Sequence, residues 1–339
     1  MRQWLGLAVA ALAGVAVAAE APRPAVVAPL ATKSLLLDVC AVPGGALAAV
    51  GERGHVLVSR DGGASWRQSP APARATLTAV TFVDADHGWA VGHDELILRT
   101  SDGGASWQLS HYAPERQQPL LAVWFQDAAH GLAVGAFSTL YATADGGASW
   151  QPSPFSPAPL PTAKPSGGKK ADAMRDDDEG VNQPHLNAIA RGGDGALYLV
   201  GEAGHVYRSA DLGAHWAALP SPYAGSFFGI VPLEGSSLLV FGLRGHLYRS
   251  DDAGRSWQAL DSHTQALLAG GTRLADGAVV IVGLAGTVLI STDGGHSFAL
   301  RQQADRKGFA AVAPSAEGVV VVGESGTRRL ARAELESGS

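Results

Sequence analysis

The chain repeats one short phrase six times, first as Ser59-Arg60-Asp61-Gly62-Gly63-Ala64-Ser65-Trp66. The shared pattern is Ser/Thr-x-Asp-x-Gly-x-Ser/His-Trp/Phe, and we call each copy an Asp box. The other five boxes carry their aspartate and aromatic residue at Asp102 and Trp107, Asp145 and Trp150, Asp211 and Trp216, Asp252 and Trp257, and Asp293 and Phe298. A motif that recurs at a regular interval indicates a repeat architecture.

A second motif, a Val-Gly or Phe-Gly pair that leads into a turn, occurs seven times. Its glycines are Gly51, Gly92, Gly135, Gly201, Gly242, Gly283 and Gly323, so one interval, between the third and fourth, is much longer than the rest. In the second repeat, short apolar runs cover 77–83, 88–92, 96–100 and 107–110, with turn residues between them. Four short strands per repeat of about 40 residues are typical of a propeller blade. The sequence therefore predicts an all-β, seven-bladed β-propeller of four-stranded antiparallel blades.

The last repeat offers only three strands before residue 332, whereas residues 25–29 form an apolar segment with no blade of its own. These residues lie one repeat length before the segment that follows Trp66, and a proline occupies the same position in both segments. We therefore expect residues 25–29 to close the ring as the outer strand of blade seven, which would remove exposed sheet edges. The propeller would then span 20–332, with a tail over 333–339.

The two unusual segments are the N-terminus and an insertion. Residues 1–19 have a charged start, an apolar stretch and small residues suited to cleavage near Ala18-Ala19, which predicts an export signal. We therefore expect a periplasmic or otherwise exported protein that does not span the membrane after cleavage. The single cysteine, Cys40, lies beyond that cleavage region. Residues 152–184 are rich in proline, lysine and aspartate, which predicts a disordered or extended insertion between blades three and four.

Composition narrows the function classes. The formal net charge is −6 and there is no basic stripe, which argues against nucleic acid as a partner. The chain has no Cys/His metal pattern, no phosphate-binding loop and no nucleophile elbow, so we predict no catalytic residue, cofactor or metal site. The length suits one propeller, and we expect a monomer.

Strand alternation assigns each motif to a face of the ring. The Asp boxes, between third and fourth strands, share one face, where the short carboxylates can accept hydrogen bonds from their own turns. The turns between second and third strands share the opposite face with the connections between blades. Loops on a rigid scaffold commonly carry function, so we predict a partner-binding face there, formed by Glu52, Arg53, His93, Asp94, Glu202, Arg244 and Glu324.

Asp boxes also occur in sialidases and other glycosidases, so a carbohydrate-active propeller, either a hydrolase or a lectin, is the alternative. Sialidases use a tyrosine nucleophile and bind the sugar carboxylate through arginines. Here Tyr207 and Tyr248 recur at one repeat position, as do Arg99, Arg208 and Arg249, which indicates an architectural role.

The Val-Gly turns, the Asp boxes and the His-Gly-Trp/Leu-Ala-Val-Gly segments at 87–92 and 130–135 together resemble the photosystem II stability/assembly factor family of plastids and cyanobacteria. The resemblance implies a non-catalytic, exported platform that holds an assembly intermediate of a membrane or envelope protein complex. It also implies an arginine-rich partner face, which Arg53 and Arg244 match. His93-Asp94-Glu95, Glu202 and Glu324 depart from that pattern because they mix in acid.

Overall fold

A computed structural model describes residues 21–160 and 183–336. The predicted export signal and most of the predicted insertion lie outside the described residues. Seven antiparallel sheets follow one another along the chain, and each takes its strands in sequence order. The predicted all-β, seven-bladed propeller is confirmed.

The first four blades contain four strands each. Blade one has β1 (Leu36–Val42), β2 (Ala46–Gly51), β3 (Val56–Ser59) and β4 (Arg67–Ser69); blade two has β5 (Leu77–Phe82), β6 (Gly88–Gly92), β7 (Ile97–Thr100) and β8 (Gln108–His111). Blade three has β9 (Leu120–Phe125), β10 (Gly131–Gly135), β11 (Leu140–Thr143) and β12 (Gln151–Pro152); blade four has β13 (Leu186–Arg191), β14 (Leu197–Gly201), β15 (Val206–Ser209) and β16 (Ala217–Ala218).

Two further four-stranded blades and one three-stranded blade complete the ring. Blade five has β17 (Phe227–Pro232), β18 (Leu238–Gly242), β19 (Leu247–Ser250) and β20 (Gln258–Leu260); blade six has β21 (Leu268–Arg273), β22 (Val279–Gly283), β23 (Thr287–Ser291) and β24 (Ala299–Gln302). Blade seven has β25 (Phe309–Ser315), β26 (Gly318–Gly323) and β27 (Gly326–Ala331), followed by helix α1 (Arg332–Glu336). Short 3-10 turns cover Ala31–Lys33, Glu52–Gly54, His93–Glu95, Pro114–Arg116, Ala136–Ser138, Glu202–Gly204 and Leu243–Gly245. No helix among these described elements has the length and apolarity needed to cross a bilayer.

The second strand of each blade is a continuous apolar run because both of its faces pack against neighbouring blades. In blade two, Ala90 contacts the core shared with blade one, while Trp89 and Val91 contact the core shared with blade three. The core is therefore a series of layers between blades. This stacking holds the turns at each end of the strands in fixed positions around the ring.

Each innermost strand carries a one-residue bulge opposite the second strand of its blade. The bulge recurs at the same repeat position, between Leu36 and Asp38 in blade one and between Leu77 and Ala79 in blade two. Bulges bend a strand and increase its twist, and here the bulged strands line a central cavity of about 310 Å³.

The ring closes differently from the prediction. Blade seven has three strands, and residues 25–29 form no strand. Instead the Ala25 amide donates to the Ala71 carbonyl of blade one, and the Gln68 side chain bonds the Val26 carbonyl and the Ala28 amide. These contacts use the backbone groups that a strand ladder would need, so the predicted closing strand is wrong.

Closure relies on side-chain packing between the first and last blades. Leu36 and Val39 of blade one share a buried cluster with Ala311 and Val320 of blade seven. At the other side of blade seven, Leu335 of α1 is 1% exposed and packs into the layer shared with blade six. Hydrophobic burial thus holds together a ring whose two ends do not exchange a strand.

Candidate functional site

The six Asp boxes share one hydrogen-bond scheme. In the first, Asp61 Oδ1 accepts from the Ser59 hydroxyl (2.8 Å) and the Ser65 amide (2.9 Å), and Asp61 Oδ2 accepts from the Ser65 hydroxyl (2.5 Å). The Ser59 hydroxyl oxygen in turn accepts from the Gly63 amide at 2.8 Å. The same contacts recur around Asp102, Asp145, Asp211, Asp252 and Asp293, with the His215 ring in place of the serine hydroxyl at Asp211.

These contacts explain why the boxes are structural. Hydrogen bonds from the Ser65 hydroxyl, the Ser65 amide and the Ser59 hydroxyl lower the pKa of Asp61 to about 2, because they favour the ionised carboxylate. Each carboxylate belongs to a different blade and is bonded within its own turn. The aromatic residue of each box packs below the turn, and Trp107, Trp150, Trp216 and Phe298 are buried there.

Backbone contacts confirm the predicted division into two faces. On one side, the box turn of blade two donates from Gly103 to the Asp86 carbonyl in the turn between its first and second strands (3.0 Å). On the other side, the Glu52 amide donates to the Leu35 carbonyl just before β1 (3.0 Å). We call the first the box face. The second, with the turns between second and third strands and the blade-to-blade connections, is the turn face.

All seven predicted partner-binding residues lie on the turn face, but the three glutamates have local tasks. Glu52 Oε1 accepts from the Leu35 amide (3.2 Å), and Glu202 Oε2 accepts from the His185 amide (3.3 Å). Glu324 lies against Gly308, the residue before β25. Each glutamate therefore faces the chain entering its own blade, which explains why acid is interspersed on this face.

The remaining four residues point outward more freely. Arg53, Asp94 and Arg244 occupy the left-handed tip of their turns, with φ of 57°, 62° and 56°, and the side chains of Arg53 and Arg244 are exposed. His93 is also exposed. Within residues 21–160 and 183–336, no ion pair joins two of the seven residues from different turns. The structure thus places them around one face without assembling them into a compact cluster.

The central cavity offers a second candidate, and its single charged lining residue in the described chain is Asp38. Asp38 Oδ1 accepts from the Val39 amide and Oδ2 from the Val80 amide of the next blade, both at 2.8 Å. Burial raises the pKa of Asp38 to about 6 against the effect of these bonds. Asp38 therefore ties blades one and two together, and no second acid stands beside it in the cavity wall.

A buried polar cluster lies between blades two and three, and it is not among the predicted site residues. Glu95 is 0% exposed and its Oε2 accepts from the Tyr141 hydroxyl at 2.7 Å. Arg116 Nη1 donates to the same Tyr141 oxygen (3.2 Å) and lies 3.6 Å from Glu95 Oε1, while His111 Nε2 lies 3.6 Å from Glu95 Oε2. Burial, with the hydrogen bond to Glu95, raises the pKa of Tyr141 to about 12. We call these four residues the Glu95 cluster.

Beside the cluster, a pocket of about 370 Å³ opens between blades three and four. Arg116 is the one charged residue among its described lining, and polar side chains line it at Ser138, Thr139, Ser153 and Gln183. The rest of the lining is Leu140 with aromatic and proline residues, namely Phe137, Tyr141, Phe155, Tyr207, Pro152, Pro154, Pro157 and Pro184. Phe137 is 51% exposed at the tip of the blade-three turn, so the pocket adjoins the turn face. Phe155 packs on Tyr207 with ring centroids 4.9 Å apart.

The start of the predicted insertion forms part of this wall. Residues 153–160 run beside blade four, where the Ala158 amide donates to the Trp216 carbonyl and the Ala158 carbonyl accepts from the Ala218 amide. Residues 161–182 lie outside the described residues, so the prediction of disorder there stays a prediction.

The residues considered for glycosidase chemistry have structural contacts. Burial raises the pKa of Tyr207 to about 12, which disfavours the phenolate that a nucleophile would need. Arg208 pairs with Asp194 (2.8 Å), and Arg249 pairs with Asp251 (2.7 Å). In the described part of the chain, no group of three or more His, Cys, Asp or Glu residues could hold a metal ion.

Comparison with known proteins agrees with the geometry. The sequence profile of the family PSII_BNR, described as photosynthesis system II assembly factor YCF48, matches residues 65–119 and 112–297. No curated protein sequence matches the chain.

Solved structures give the same fold. The structure of YCF48 bound to D1 peptide has a TM-score of 0.64 at 19% identity, and the match covers 91% of this chain and 98% of that one. YCF48 from Cyanidioschyzon merolae has a TM-score of 0.64 at 18% identity, covering 88% of this chain and 96% of that one. Virginiamycin B lyase from Staphylococcus aureus has a TM-score of 0.66 at 13% identity, covering 87% and 94%. Because this fold is shared by an enzyme and by binding proteins, function must be argued from the site.

Proposed function

Because the chain belongs to the photosynthesis system II assembly factor YCF48 family, we propose that it is a non-catalytic scaffold that holds a segment of a membrane or envelope protein during assembly. The structure of YCF48 bound to D1 peptide is a precedent for peptide binding in this family. We further propose that the protein acts after export, in the periplasm, as a monomer.

One observation carries the proposal: the two faces differ in whether their side chains are bonded within their own turns or exposed to a partner. On the box face, every box carboxylate is bonded within its own turn. On the turn face, the left-handed tips project exposed side chains such as Arg53, Phe137 and Arg244. Exposed arginine and aromatic side chains are enriched where proteins bind one another. A rigid ring that presents such groups from several blades suits an extended partner segment.

The experiment is chemical crosslinking of the full-length protein in host envelope extracts, followed by identification of the crosslinked partner. The double variant Arg53→Ala/Arg244→Ala should reduce the yield of the main adduct severalfold, because both side chains leave the turn face. The matched control is Arg60→Ala/Arg255→Ala, which removes the same charge from exposed positions in two box turns and should leave the yield unchanged.

The carbohydrate-active alternative predicts a different result. A glycan array and fluorogenic glycosides would then give a reproducible signal, and the crosslinked protein partner would be absent or insensitive to the turn-face variant.

A further inference from the structure

Two adjacent blades beside the pocket, blades two and three, depart from the repeat. Five of the seven turns end in a glycine with positive φ, namely Gly54, Gly204, Gly245, Gly286 and Gly326. In blades two and three, Glu95 and Ser138 stand there instead, with φ of 50° and 57°. A non-glycine residue in this region costs about 1–2 kcal/mol. Backbone strain that persists in a structure is a pointer to function.

The neighbouring chain has been rearranged to accept these side chains. At Gly54, an added Cβ would collide with the Ala73 carbonyl of the following connection. In blade two, the corresponding connection carries the extra turn Pro114–Arg116, and its Gln118 carbonyl accepts from the Glu95 amide at 2.9 Å. The longer connection thus folds over Glu95 and brings Arg116 to the edge of the pocket.

Glu95 fixes how Arg116 is presented. Its buried carboxylate bonds Tyr141 and lies 3.6 Å from Arg116 Nη1, which itself bonds Tyr141. The Arg116 side chain nevertheless remains 51% exposed, and among the described residues its Nε and Nη2 donors bond no other group. A guanidinium held through one nitrogen keeps a free edge for a planar acceptor, and a carboxylate is the best match. Glu95 is therefore a positioning residue.

Beside its serine, threonine and glutamine side chains, the pocket offers aromatic surface to a partner. Phe137 projects from one side, and the Phe155–Tyr207 pair forms the other. Proline residues complete the wall without adding backbone donors from their nitrogens. A carboxylate beside an aromatic side chain would contact both Arg116 and the rings, whereas a basic ligand would be repelled by Arg116.

We propose that this pocket binds an extended partner segment that places an aromatic side chain next to a carboxylate, with Arg116 taking the carboxylate and the Phe137–Phe155–Tyr207 walls taking the ring. The proposal rests on the proposed function and names the chemistry of the partner segment.

The test is a double-mutant cycle in which one change is made in the protein and the other in a peptide. Peptide binding to the full-length chain is measured by fluorescence anisotropy. The probe is a short labelled peptide with one phenylalanine followed by one aspartate in a glycine–serine background; its matched peptides carry asparagine for the aspartate or alanine for the phenylalanine. We expect Arg116→Gln to weaken binding of the first peptide about tenfold, and the asparagine peptide to bind the unaltered protein about tenfold more weakly. Combining the two changes should add little further loss, because they remove the same contact.

Arg116 lies 3.6 Å from the fully buried Glu95 carboxylate, so the loss of its charge should destabilise the protein. Binding is therefore compared at a temperature at which the parent and Arg116→Gln are both folded by circular dichroism. Phe155→Leu provides an independent variant that weakens the aromatic half alone. Equal binding of the three peptides, or additive losses in the cycle, would overturn the pocket proposal. If the envelope partner still crosslinks and its yield falls in Arg53→Ala/Arg244→Ala but not in Arg116→Gln, the scaffold function stands and only the pocket assignment fails.

Discussion

Replacing one box aspartate tests whether the Asp boxes stabilise the fold. Asp252→Ala removes hydrogen bonds from the Ser250 hydroxyl (2.9 Å), the Ser256 amide (2.8 Å) and the Ser256 hydroxyl (2.6 Å). A hydrogen bond contributes about 0.5–1.5 kcal/mol net, and the lower part of that range applies at a site open to water. We therefore expect a loss of about 2 kcal/mol in the free energy of unfolding, or about 3 °C in melting temperature for a folded unit of roughly 300 residues.

The assay is urea denaturation at pH 7, with Asp252→Asn as the matched variant. Asparagine keeps the Oδ1 acceptor for two of the three donors, so it should cost about half as much as alanine. The Ser256 hydroxyl is the main group that lowers the pKa of Asp252, to about 2. A lowered pKa stabilises the folded state above the unfolded pKa near 4 and loses that effect as pH falls through 2, so the gap between parent and alanine variant should narrow below pH 4. Unchanged stability at pH 7, or weaker partner binding at full stability, would refute the structural assignment.

Three further outcomes follow from the packing. Gly54→Ala should destabilise the protein much more than Gly62→Ala by thermal denaturation, because both have φ of +68° but only the first Cβ would strike a backbone carbonyl; equal losses would contradict the close approach. Leu335→Ala should cost about 2–4 kcal/mol in urea unfolding, as expected for a 1% exposed leucine, while Leu30→Ala, which is 63% exposed, should cost almost nothing. Burial raises the pKa of Asp38 to about 6, so the contribution of Asp38 to stability is greatest below pH 4 and is lost as pH rises through 6. Asp38→Asn should therefore make the free energy of unfolding depend less on pH between 4 and 6, and an unchanged pH profile would argue against a buried carboxyl.

The repeat made the architecture predictable. Strands of blade two were expected over 77–83, 88–92, 96–100 and 107–110, and the structure has them at Leu77–Phe82, Gly88–Gly92, Ile97–Thr100 and Gln108–His111. This agreement arises because turn glycines and apolar runs act locally, and seven copies of the same pattern reinforce one interpretation. The division into box face and turn face follows from strand alternation alone.

Ring closure could not be predicted in the same way. The repeat spacing and a proline at the matching position predict that residues 25–29 belong to blade seven. In the structure, the side chain of Gln68 in blade one hydrogen-bonds this segment instead. That contact joins residues about one repeat apart, and no local pattern distinguishes it from pairing with the last blade. Likewise, the sequence predicts only a tail over 333–339, where the structure has the C-terminal helix Arg332–Glu336 that buries Leu335.

The Glu95 cluster could have been found from the sequence. Val91-Gly92-His93-Asp94-Glu95 lacks the second glycine of its motif and carries a glutamate there, and the structure buries this carboxylate. Its partners could not be predicted, because Tyr141 and Arg116 reach it from different elements. Departures from a repeat are therefore the positions to inspect first in such a chain.

The proposed function requires that the partner bind the turn face. The most direct measurement places a photo-crosslinking residue at Phe137 on the turn face, and in a second protein at Arg255 on the box face, with both full-length chains expressed in the host. We expect irradiation to yield one discrete protein adduct from position 137 and none from position 255. An adduct of the same partner from position 255, with none from position 137, would contradict it.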